Sequence, residues 1–246
     1  MNLRVLGRME AADSNGLVDL GPPKQRLTLA ILIMHEGEVV STDRLIDSLW
    51  GERPPASAHQ NVYLHIHRMR RVLGADRLVT CGRLGYQLTV SRDELDAYRF
   101  ADLIHDARQA TRGGDHVRMA VLIREALAEW RGSAFADFGH HPALAPEAER
   151  LAELRLQAIE QQMDVDLELG YHADLVARLR PLVAEHPYRE RFHEQLILAL
   201  CQSGRPAEAI AAVQHVRKLF DEDLGIDPGP CLMGFEKRIL DRDPDL

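Results

Sequence analysis

Cysteine, lysine and long apolar runs are all scarce in this 246-residue chain, and each scarcity narrows what it can be. Its three cysteines, Cys81, Cys201 and Cys231, are odd in number and far apart. That spacing excludes a disulfide framework or a cysteine-rich zinc site, and points to free thiols in a reducing compartment. No stretch reaches the roughly 20 uninterrupted apolar residues of a membrane helix. The first residues, MNLRVLGRMEAADSNG, carry no apolar run behind a basic start, so a soluble cytoplasmic protein is expected. Also missing are the GxxxxGK[ST] phosphate loop, the GxSxG elbow and the HExxH helix, which leaves hydrolases and nucleotide-driven enzymes without a candidate site. Neither enzyme activity nor a cofactor is expected. The histidines offer no metal site: His65 and His67, two apart, diverge on a helix, and the adjacent His140 and His141 have no cysteine ligands nearby.

Lysine is limited to Lys24, Lys218 and Lys237, so basic charge comes almost wholly from arginine. Arginine favours planar, bidentate recognition of phosphate or guanine; a GC-rich genome would write the same bias. Its placement is uneven. Residues 53 to 92 hold seven arginines, at 53, 68, 70, 71, 77, 83 and 92, against one acidic residue, Asp76, in a chain of net charge -8. Residues 1–93 carry 12 Lys+Arg against 10 Asp+Glu, and the remainder 18 against 28. One phosphate-attracting region on an otherwise repelling chain argues for a nucleic-acid-binding module joined to an acidic body. Length and a 46% apolar content allow two cores.

Along the chain, residues 2–6 and 16–20 read as short strands around a polar turn at Asp13 to Gly16. Pro22 and Pro23 then open a helix bearing Leu27, Ala30, Ile31 and Met34, ended by Gly37. Ser41 or Thr42 caps a second helix over Leu45, Ile46 and Leu49. After Pro54 and Pro55, Ser57 opens a third, SAHQNVYLHIHRMRRVLG, closed by Gly74. RLVTCGRLGYQLTV follows as a glycine-containing hairpin. Beyond Asp93 only helical periodicity remains, with helices over 95–112 and 115–130 and a terminal one over 230–240. Gly170 and Gly204 lie 34 residues apart, the length of a tetratricopeptide repeat. At that offset Leu175 matches Ala209, Leu179 matches Val213 and Leu182 matches Val216. The segment Arg131 to Pro146 is irregular, either packed by Phe135 and Phe138 or facing a partner.

The third helix carries the chemistry. Val62, Ile66, Met69 and Leu73 form one apolar stripe that must face a core. At about 100° per residue the opposite arc presents Gln60, Leu64, His67, Arg68 and Arg71, flanked by Asn61 and His65 on one side and Arg70 on the other. Arg and Gln read guanine and adenine edges bidentately, and an outward leucine fits a thymine methyl. Such a face is often merely solvated. Here two shorter helices precede it, as in a helix-turn-helix, and a hairpin bearing Arg83 follows it like a wing. Lys24 and Arg26 add positive charge to the start of the first helix, whose free backbone donors suit one phosphate or only water.

The order LIDSLWGERPP, HQNVYLHIHRMRRVLG and RLGYQL resembles the winged-helix output domain of two-component response regulators. Together with WRGSAFADF and LALCQSGRPAEAIAAVQHVRKLFDEDLGIDPGP, it resembles the Streptomyces antibiotic regulatory protein family over essentially the whole chain. The resemblance implies a mostly α fold: a winged helix-turn-helix DNA-binding domain at 1–93, then an all-α, tetratricopeptide-like bacterial transcriptional activation domain at 94–246. It implies a cytoplasmic, nucleoid-associated activator of a secondary-metabolite gene cluster that binds promoter direct repeats as a homodimer and recruits RNA polymerase through its sigma or alpha subunit. By position, Arg68 and Arg71 would enter the major groove, His65, His67 and Arg70 would lie near phosphates, and Arg83 would sit in the wing. Whether Arg83 or the backbone of Gly82 and Gly85 makes the close approach stays open. No phosphorylatable receiver is recognised in the chain. A helical-repeat interaction scaffold with weak, sequence-indifferent DNA binding is the alternative.

Overall fold

The computed structural model describes residues 1–243 and 246. Two compact units divide the chain: residues 1–113 with 121–156, and residues 114–120 with 157–246. No helix among the described residues is long and apolar enough to cross a membrane.

In the first unit, β1 (Asn2–Arg4), β2 (Glu10–Asp13) and β3 (Gly16–Val18) form an antiparallel sheet in that order. The expected turn is there: Asp13 pairs with Gly16, and the Asp13 carboxylate accepts the Asn15 N–H at 2.7 Å. β2 was not foreseen, because Glu-Ala-Ala-Asp has little strand preference. β1 stops at Arg4, short of the expected Leu6, because the next backbone groups bond elsewhere. The Val5 and Leu6 N–H groups donate to the Asp96 carboxylate at 2.8 and 3.0 Å. The carbonyls of Val5, Leu6 and Gly7 accept from the N–H groups of Phe135, Arg131 and Ala136. Phe135 is buried, so the irregular segment after Arg131 is packed in this unit.

Helix α1 (Pro23–Met34) starts with proline in its first turn, where no N–H is needed, and buries most of its length. In α2 (Thr42–Trp50), Ser41 Oγ caps the helix by accepting the Arg44 N–H at 3.1 Å. Helix α3 (Ala58–Leu73) ends at Gly74, whose φ of 105° is costly for any other residue. A second antiparallel sheet has the order β4 (Val39–Val40), β6 (Tyr86–Leu88), β5 (Leu78–Thr80). β5 and β6 are the expected hairpin; β4 is two residues long and gave no periodic signal. Helices α4 (Asp96–Arg112) and α5 (His116–Ala128) follow, then α6 (Ala145–Glu168).

In the second unit, α7 (His172–Glu185), α8 (Glu190–Gln202), α9 (Pro206–Leu224) and α10 (Pro230–Leu240) continue the helical series. The 34-residue offset is structural. Gly170 and Gly204 have φ of 85° and 75°, and α7 and α9 each begin two residues later. Leu175, Leu179, Ala209, Val213 and Val216 are fully buried and Leu182 partly so. Equivalent positions thus build equivalent core contacts, as in stacked repeats. Cys81, Cys201 and Cys231 are free thiols.

Candidate nucleic-acid interface

Helix α3 is two-faced. Val62, Ile66, Met69 and Leu73 are buried, whereas Gln60, His67, Arg68 and Arg71 are exposed and Leu64 is 40% exposed. Asn61 is half-buried, and its amide donates to Ser57 Oγ at 3.2 Å. Burial of the stripe is what holds the polar face outward, since the helix cannot rotate without exposing four large apolar side chains.

Four of the expected residues have other partners. His65 is only 8% exposed, turned from the surface toward α1. Its Nδ1 lies 3.1 Å from Thr28 Oγ1, while that hydroxyl donates to the Lys24 carbonyl at 2.8 Å. Because the hydroxyl has one proton, already committed, Nδ1 must carry the hydrogen and donate. Burial, with the charges of Arg68 and Lys24 behind it, lowers the His65 pKa, so the ring is neutral at pH 7 and ill-suited to a phosphate. Arg70 donates through Nε to the Leu78 carbonyl and through Nη2 to Thr80 Oγ1, both at 2.6 Å. That staples α3 to β5 and takes two of the five donors expected for phosphate. Lys24 donates to the Leu49 carbonyl at 2.6 Å, with its ammonium 4.9 Å from the Trp50 ring centroid, neutralising the end of α2. Arg26 lies 3.6 Å from the buried carboxylate of Asp137. The N–H groups of Gln25 and Arg26 both donate to the Pro22 carbonyl, so the start of α1 has fewer free donors than expected.

The wing is firmly built. Cys81 N–H donates to the Gly85 carbonyl at 2.9 Å and Leu84 N–H to the Cys81 carbonyl at 3.0 Å, closing a tight turn with Gly82 at φ 58°. A Cβ at Gly85 would lie 2.1 Å from the Val40 carbonyl oxygen, so the close approach of this glycine is to β4, inside the protein. Arg83 is exposed at the apex, its side chain unbonded among the described residues.

Of the seven clustered arginines, Arg77 forms a two-point ion pair with Glu94 and Arg92 pairs with Asp102. Arg70 is the staple. Arg53, Arg68, Arg71 and Arg83 are exposed, and among the described residues their side chains make no hydrogen bond or ion pair. Tyr63, 63% exposed and stacked on His67 at 6.5 Å, joins this face unforeseen. Its position, about 100° from Leu64 on the helical wheel, would have placed it at the edge of the outward arc.

A winged helix whose third helix presents a basic face with several arginines unpaired among the described residues, in a chain that runs on into repeat-type helices, is the architecture of a transcription regulator of the bacterial activator class. The family models agree: "Transcriptional regulatory protein, C terminal" matches residues 17–88 and "Bacterial transcriptional activator domain" matches residues 95–240. The regulatory protein AfsR of Streptomyces griseus is 39% identical over the whole chain, which spans a quarter of AfsR. The regulatory protein DnrI of Streptomyces peucetius is 34% identical, with all of this chain and 94% of DnrI covered. Among solved structures, Mycobacterium tuberculosis EmbR in complex with a low-affinity phosphopeptide is similar with a TM-score of 0.92 and 31% identity. That match covers 99% of this chain and 65% of EmbR. The chain belongs to the Streptomyces antibiotic regulatory protein family of transcriptional activators.

Proposed function

We propose that residues 1–93 bind promoter DNA sequence-specifically, with α3 in the major groove and the wing on the adjacent minor groove or backbone, and that residues 94–246 recruit RNA polymerase through its sigma or alpha subunit. Two protomers occupy direct repeats head to tail, and the target is a secondary-metabolite gene cluster. The protein acts in the cytoplasm, on the nucleoid. The observation that carries this reading is the set of four exposed arginines, Arg53, Arg68, Arg71 and Arg83, whose side chains have no hydrogen-bond or ion-pair partner among the described residues. Arg68 and Arg71 on the outward face suit guanine edges, and Gln60 suits adenine. Arg53 and Arg83 suit phosphates, whose neutralisation releases counterions and makes affinity fall steeply with salt. The similarity to AfsR and DnrI, both regulatory proteins, supports the reading.

The test is sequencing of fragmented genomic DNA retained by the purified protein, run beside Arg68→Ala at moderate salt. Enrichment of a few promoters carrying a direct repeat, lost in the variant, is the expected result. Uniform retention, or equal enrichment by the variant, would overturn the assignment of α3.

A further inference from the structure

We propose that Leu84, at the wing apex, is a specificity-determining residue that reads A·T over G·C from the minor groove. The inference rests on the DNA-binding reading above and adds a base preference to the wing. Leu84 is 71% exposed, although Leu78, Tyr86 and Leu88 of the same hairpin are buried and Val79 is half-buried. It sits beside Arg83, so the apex offers a guanidinium and an isobutyl group together. A cation alone would serve a phosphate; cation plus apolar group matches a narrow groove with anionic walls and a floor of base edges.

The apex is also held in place. The Cys81–Leu84 turn is closed by its hydrogen bond, Gly85 is pressed against β4, and the two Arg70 bonds tie β5 to α3. Leu84 therefore meets DNA at one fixed register relative to the bases that α3 contacts. In the minor groove, A·T pairs present only acceptors and the adenine C2–H, whereas G·C adds the guanine N2 amino donor. A leucine packed on the floor tolerates the first. Against the second it buries a donor with no acceptor, a loss of about tenfold in affinity.

The experiment uses duplexes carrying the enriched direct repeat, with each flanking base pair set in turn to A·T, G·C or inosine·C. Inosine·C keeps the major-groove pattern of G·C but lacks the N2 amino group. The full chain is expected to show one position per repeat where A·T and inosine·C bind alike and G·C about tenfold more weakly. In Leu84→Ala that difference should shrink to within about twofold, with the bases contacted by α3 discriminated as before. Leu17→Ala is the control, since Leu17 is 72% exposed on the other hairpin and should leave every preference unchanged. Persistence of the preference in Leu84→Ala, or inosine·C behaving like G·C, would overturn the inference while α3 recognition stood. Undiminished binding by Arg68→Ala would instead strike the reading beneath it.

Discussion

The exposed arginines on and around α3 and those of the repeat helices live in opposite electrostatic company. From Arg178 to Arg238 there are seven arginines, and each meets a carboxylate: Arg178 with Asp166, Arg180 and Arg205 with Glu208, Arg189 with Glu160, Arg191 with Asp164, Arg217 with Glu236 and Arg238 with Asp243. Arg53, Arg68, Arg71 and Arg83 meet none among the described residues. The difference teaches that arginine content alone says little. A paired guanidinium has its field offset by the carboxylate and some of its donors committed; an unpaired one keeps its full field and its bidentate fork for an external phosphate or base. Acidic residues are abundant in the helices and nearly absent between residues 53 and 92, so the sorting is written in the chain.

Removing the unpaired pair on α3 should produce the largest effect on binding. Arg68→Ala with Arg71→Ala is expected to weaken the enriched promoter site about a hundredfold or more, since each bidentate base contact is worth about 1–3 kcal/mol. The fold should be unchanged, because neither side chain has a hydrogen-bond or ion-pair partner among the described residues. Titration of labelled duplex together with a thermal melt measures both; an unfolded variant, or one that binds as before, would break the comparison.

The opposite outcome is expected for a buried carboxylate with several donors. Asp96 is 1% exposed and accepts from Val5, Leu6 and the Arg131 guanidinium. Its burial pushes the carboxyl pKa up, while those donors pull it back toward the ionised form. Asp96→Ala leaves two buried backbone N–H groups without an acceptor and strips Arg131 of one of its two carboxylates, Glu10 remaining, so urea unfolding should show a loss of about 3–5 kcal/mol. An exposed pair belongs at the other end of the paired class. Arg191, bonded to Asp164 and Glu194 but about half exposed, should cost no more than about 1 kcal/mol on replacement by alanine. Arg191→Ala should also leave the salt dependence of DNA binding as it was, whereas Arg83→Gln should lower the slope by about one phosphate.

Much of this was legible from periodicity and punctuation. The stripe Val62, Ile66, Met69 and Leu73, the serine cap at Ser41, the terminus at Gly74 and the 34-residue period each have a local cause and appear where that cause puts them. What periodicity could not show is which flank residues have a distant partner. His65 bonds to Thr28, 37 residues away, and Asp96 to Val5, 91 residues away; no spacing along the chain encodes either. Arg70 flanks the arc that holds Arg71, yet its donors reach acceptors on β5, the strand just beyond the helix end. Alternation was also silent for Glu10–Asp13, which is a strand because its neighbours pair with it.

The smallest effect offers the finest probe, because one buried side chain senses an unpaired arginine directly. The His65 pKa is lowered first by burial and then by Arg68 and Lys24. A histidine whose folded pKa lies below its unfolded value of about 6.5 binds fewer protons in the folded state; its contribution to stability is intact above that pH and is lost as pH falls through the folded pKa. Arg68→Ala removes one of the two charges, so the His65 imidazole signals in an NMR titration should move to higher pH in the variant. Stability should then decline less on acidification from pH 7 to pH 5.5. An Arg68 neutralised by some partner would exert little net field, and the His65 titration would stay put. The comparison between the two classes of arginine is thus tested within the folded protein, with no DNA present.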